Sequence, residues 1–153
     1  MEIAVSTQNE QLVALLMQRL EIDRAELVDL YRRVLRDGLF SNRAEVRPNM
    51  LMQIAADEAE AFLNFLNQPA FSGAERGLQL HQTGLSEGVV LRLGQVTRQF
   101  FLDRLEQNQI ASMLEIVHAY QEGVMLGFIK NLEKYHLDEL ERTRNALQRN
   151  DIS

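Results

Sequence analysis

Apolar residues recur along most of the chain at spacings of three and four, the period of a helix with one buried face. The first run is Leu12, Val13, Leu15, Leu16 and Leu20, and the second is Leu27, Leu30, Tyr31, Val34 and Leu35. A third holds Leu51, Ile54, Ala55, Phe62, Phe65 and Leu66, and a fourth Val90, Leu93, Val96, Phe100 and Leu105. No stretch alternates with period two for long enough to make a sheet. The pattern predicts an all-α fold of about six helices.

End signals punctuate these runs. Thr7 to Glu10 reads as a capping box, with hydroxyl and carboxylate satisfying backbone donors at a helix start. Asp23 to Glu26 repeats it, with Ile22 and Leu27 placed as a hydrophobic staple. Gly38 suits a left-handed helix stop, Pro48 a first helical turn, and Pro69 closes the third run. Ser72 to Glu75 opens a short helix through about His81; Gly84 breaks it, and Ser86 is the N-cap of a helix to about Gln107.

After Asn108 comes the longest element, without proline from Gln109 onward. It is apolar as far as Ile129, and beyond Lys130 it becomes charged on most sides. About 40 residues of helix span about 60 Å, more than a domain with a radius of gyration of about 15 Å accommodates. Residues 1–129 are therefore expected to form the body, and 130–153 a projecting linker helix. A thin seam of Leu132, Tyr135, Leu140 and Leu147 is compatible with a two-stranded coiled coil, or with a frayed tail. Ala119, Gly123 and Gly127 recur every four residues and invite close helix approach, within one chain or between two. Ala119, Gly123, Gly127, Leu132, Tyr135 and Leu140 are the expected dimer contacts.

Composition narrows the function. The 153 residues, 46% hydrophobic and 25% charged, suit one folded domain. The chain has no cysteine, which excludes disulfides, thiolate metal sites, cysteine nucleophiles and thioether-attached haem. A net charge of −6 argues against broad nucleic-acid binding. The first residues lack the basic and apolar regions of a signal peptide, and no apolar run is long enough to span a membrane. The expected location is cytoplasmic, with no membrane partner.

Candidate chemistry is sparse. Glu115–His118 and Glu133–His136 are two Glu-x-x-His sequences of the kind that build di-iron sites. On one continuous helix they stand about 27 Å apart, so they cannot share a metal within one chain. The run after His136, "LDELERT", differs in order from a kinase phosphoacceptor helix. Nucleotide-binding and hydrolase motifs are absent, so no enzyme is expected. His81 has two readings: an axial haem ligand facing an apolar pocket, or a residue in a last helical turn interacting with the helix dipole.

The pattern Gly77-x3-His81-x2-Gly84-Leu85-Ser86, followed by a helix with Leu91, Gly94 and Phe100, resembles the amino-terminal sensor domains of the RsbRD type. So do "VRPNMLMQIAADEAEAFLNFL" and "EGVMLGFIKNLEKYHLDELERTR". Those domains belong to bacterial stress-response co-antagonists and related regulators. The resemblance implies a globin-like input domain, commonly without haem, that dimerises through its last two helices. It implies an output module downstream, a STAS domain or a histidine kinase, reached through the carboxy-terminal helix. The leading expectation is thus a signal-input homodimer without cofactor. The alternatives are a haem-based gas sensor using His81 and a ligand-free helical adaptor.

Overall fold

The structure is a computed structural model and describes residues 2–41, 46–68 and 73–152. Among these residues it is all-helical, with six α-helices and no strand. In chain order they are α1 (Glu2–Ile22), α2 (Arg24–Asp37), α3 (Leu51–Asn67), α4 (Ala74–Thr83), α5 (Glu87–Leu102) and α6 (Gln107–Ile152). One-turn 3₁₀ segments cover Leu39–Ser41 and Pro48–Met50. Pro48 opens the second, which runs directly into α3, so its missing N–H falls where a helix start leaves donors unpaired anyway.

The predicted apolar faces are the buried ones. Leu12, Leu16 and Leu20 of α1 meet Leu27, Tyr31 and Leu35 of α2 and Ile54, Ala55 and Phe62 of α3 in one core. Val90, Leu93 and Phe100 of α5 and Met113, Val117 and Val124 of α6 complete it. The Phe62 ring stands 5.1 Å from Tyr120, edge-on, and 5.8 Å from Phe101. Each such aromatic or leucine contributes about 1.5–3 kcal/mol by leaving water. α5 ends at Leu102, earlier than its apolar pattern suggests, and Leu105 packs on the core from the connection to α6.

Several end signals act differently from their local reading. α1 begins at Glu2, so Thr7 lies inside a helix and opens none. Asp23 makes no capping bond to α2; its carboxylate accepts from Arg104 Nε at 2.8 Å, and Glu26 accepts from the same guanidinium at 2.6 Å. A charged donor holding both carboxylates outweighs the weaker backbone caps. Ile22 is 64% exposed while Leu27 is fully buried, so they form no staple. Gly38 ends α2 with φ −96°, a right-handed conformation. Pro69 and Ser72 lie outside the described residues.

Gly84 does adopt the left-handed conformation, φ 100°. Its N–H bonds the His81 carbonyl at 3.0 Å and the Leu85 N–H bonds the Leu80 carbonyl at 3.3 Å, a Schellman stop. Ser86 then caps α5 by accepting from the Val89 N–H at 3.3 Å. α6 has 46 residues, about 69 Å of helix. Its last buried residue is Phe128, and all of residues 133–149 are exposed.

Candidate functional site

α4 lies across α6 in the most extensive helix pair of the described residues. Glycines set how close the two approach. A Cβ on Gly77 would collide with the Val124 carbonyl, and one on Gly127 with the Ala74 backbone. One on Gly73 would stand 2.6 Å from the Tyr120 carbonyl oxygen. The face of Gly127 is therefore filled by α4 of the same chain, which removes it from the expected contact with a second copy. The stripe itself does not run straight. Four residues turn about 400°, so each step drifts about 40°. Ala119 is accordingly exposed, Gly123 half-buried and Gly127 buried.

A buried polar network locks one side of this crossing. Glu58 of α3, 3% exposed, accepts from Arg76 Nε of α4 at 2.8 Å and from the Tyr120 hydroxyl of α6 at 3.0 Å. Arg76 Nη2 also donates to the Ile54 carbonyl at 3.2 Å. Both Glu58 oxygens thus have partners, as a buried carboxylate requires. Nearby, Thr97 donates to the Leu93 carbonyl at 3.0 Å and so accepts from the Tyr31 hydroxyl at 2.5 Å. Burial raises the pKa of both phenols, and the negative charge of Glu58 adds to it.

Outside this network a cleft of about 660 Å³ opens between α3, α4 and the Tyr120 turn of α6. That volume is within the range of small-molecule sites. Asp57, Glu60, Asn64 and Phe65 line one wall, and Glu75, Arg76 and Gln79 the other. With Arg76 already paired to Glu58, the lining favours a polar or cationic ligand over an anion. The sequence reading missed Glu58, Arg76 and Tyr120. The available signal was Glu58 itself, a charge on the apolar face between Ala55 and Phe62.

His81 holds the other side of the crossing. It is 1% exposed and lies in the last turn of α4, where its carbonyl accepts from the Gly84 N–H. Its imidazole reaches across to α6, where Nδ1 accepts from the Asn131 side-chain amide at 2.5 Å. The ring meets Phe128 edge-on at 5.0 Å and Tyr135 at 6.2 Å. The cavity beside it, lined by Leu85, Ser86, Glu87, Phe128 and Leu132, is about 270 Å³. This is just under the usual range for a small-molecule pocket.

The expected carboxy-terminal seam divides. Leu132, half-buried, and Tyr135 face α4 and His81. Leu140 comes five residues after Tyr135 and points about 140° away, on the outer side of the helix with Leu147. The two Glu-x-x-His sequences also stay apart: His118 is exposed and lies 3.6 Å from Glu122, one turn on. No group of three or more histidines and carboxylates able to hold a metal occurs among the described residues. No helix of the described residues is long and apolar enough to cross a membrane. No protein-family model, no curated protein and no solved structure matches this chain.

Proposed function

We propose that this chain is a non-catalytic signal-input domain, globin-like in design, acting as a cytoplasmic homodimer. In this reading it relays the state of its α3–α4 cleft through α6 to an output module. The observation that carries the reading is the course of α6. It begins as a core helix, is held by Glu58 through Tyr120 and by His81 through Asn131, and then leaves the body as a charged, exposed helix. Occupation of the cleft bears on Arg76 and Tyr120 together, and so on the packing of α4 against α6. A ligand that prefers one of two such packings shifts the population between them.

The reading is tested by screening polar and cationic metabolites for a thermal shift, then measuring hydrogen exchange with the ligand bound. A signal-input domain gives a ligand that alters protection both in α3–α4 and along residues 133–149. A ligand-free adaptor gives no shift with any metabolite. Haem sensing through His81 is the second reading, motivated by a buried imidazole among apolar rings. With Nδ1 accepting from Asn131 the proton sits on Nε2, so iron at Nε2 requires the other tautomer, with the Asn131 amide turned to accept from Nδ1–H. This reading predicts a Soret band that His81→Ala abolishes. A colourless protein after haem addition ends it.

A further inference from the structure

Seven positions on the outer face of α6 follow alternating steps of four and three: Leu126, Lys130, Glu133, Leu137, Leu140, Arg144 and Leu147. This is the a/d spacing of a coiled coil. Leu126, Leu137, Leu140 and Leu147 are 61%, 66%, 67% and 61% exposed. At about 100° per residue the four leucines lie within a strip about 80° wide. The strip runs on the side opposite Val117, Val124 and Phe128, which face the core. Four leucines in a row on a solvated helix leave apolar area that a matching helix would bury.

The charges within the strip decide which helix. A parallel, in-register pair sets each position against its own copy. Lys130 would then face Lys130, Glu133 face Glu133 and Arg144 face Arg144, three repulsive layers in seven. Turning the second helix antiparallel, about a point between residues 138 and 139, re-pairs the six positions from Lys130 to Leu147 and leaves Leu126 outside the overlap. Leu137 then faces Leu140 of the second copy, and Glu133 faces its Arg144. Lys130 lays its aliphatic stem against Leu147 with the ammonium free to reach water. On the flank Lys134 comes opposite Glu141. A two-fold axis makes each pair occur twice, the self-complementarity a symmetric dimer needs.

We infer that two copies of this chain pair antiparallel through residues 130–147 of α6. The inference deepens the homodimer proposed above and rests on that self-association, but on no ligand or output module. The outer face stays open where the end of the second helix passes the body, since Ala119 and Leu126 are both exposed. The overlap from Lys130 to Leu147 is about 27 Å long, so the dimer is reversible and concentration-dependent.

The experiment uses sedimentation of the full chain across a wide concentration range, with a spin label on Arg149→Cys, in a chain otherwise free of cysteine. The antiparallel pair separates the two labels by about 30 Å. A parallel pair holds them within about 20 Å, since paired helices are 8–10 Å apart. Glu133→Arg should weaken the dimer about tenfold, by two new like-charge pairs, and the swap Glu133→Arg with Arg144→Glu should restore it. These residues lie outside the core, and an unchanged melting curve verifies that the body still folds. A short label distance, a dimer indifferent to Glu133→Arg or a swap that does not restore it overturns the antiparallel pairing and leaves the proposed homodimer standing. A monomer at every concentration removes both.

Discussion

Glu58 is the residue on which the interior depends most. Its carboxylate is the shared acceptor for one side chain from α4 and one from α6; Glu58 and Tyr120 are buried, and the Arg76 side chain is 10% exposed at the edge of the cleft. Glu58→Ala strands the Arg76 guanidinium inside the protein, so we expect about 3–5 kcal/mol of stability to be lost in urea unfolding. A loss under about 1 kcal/mol would mean the pair is solvated in solution. Tyr31 and Tyr120 make a second prediction. Their phenols ionise near pH 10 in the unfolded chain but stay protonated in the fold, where burial and Glu58 raise their pKa. Above about pH 10 the unfolded state therefore holds fewer protons, and stability falls as pH rises. The expected slope approaches about 1.4 kcal/mol per pH unit for each tyrosine, and Tyr31→Phe or Tyr120→Phe should each remove one share. A stability flat from about pH 9 to 11 would contradict this.

At the scale of elements, the α4–α6 crossing and the α5 start give opposite outcomes for one substitution. Alanine normally stabilises a helix over glycine by about 0.5–1 kcal/mol. At Gly88 a Cβ meets nothing within 4 Å, so Gly88→Ala should raise the melting temperature by a few degrees. At Gly77 and Gly127 the Cβ meets the other helix's backbone, which has no rotamer to yield. Gly77→Ala and Gly127→Ala should each cost about 1–3 kcal/mol, read as a lower melting temperature in a calorimeter. A melting point that rises at all three sites would show that the helices separate freely. Helix existence was legible element by element, because the apolar period names the buried face whatever it packs on. Helix ends were less so. Asp23 and Glu26 form a convincing local cap, yet Arg104, about 80 residues along, takes both carboxylates.

For the whole molecule, the division near residue 130 predicts how the chain tolerates shortening. Residues 137–149 are exposed and have left the body, while Tyr135 still touches His81. A chain stopped after His136 should lose helical ellipticity in proportion to the residues removed but keep its unfolding midpoint within about 2 °C at low concentration. It should also lose the concentration-dependent dimer. A large drop in midpoint would show that the outer part of α6 folds back onto the body.

The sequence by itself determined the all-helical class, the core faces, the stop at Gly84 with its cap at Ser86, and the change of α6 from apolar to charged. Each is a local property, set by periodicity, by the φ a residue tolerates, or by composition within a few turns. Only the tertiary structure decided what the marked residues meet. It put Gly127 against α4, split Tyr135 from Leu140, turned His81 toward Asn131, and brought Glu58, Arg76 and Tyr120 together from three helices. Those partners lie 18 to 62 residues apart, and no local rule selects one distant partner over another. Helix crossing does so, through the few points where the small residues let backbones touch.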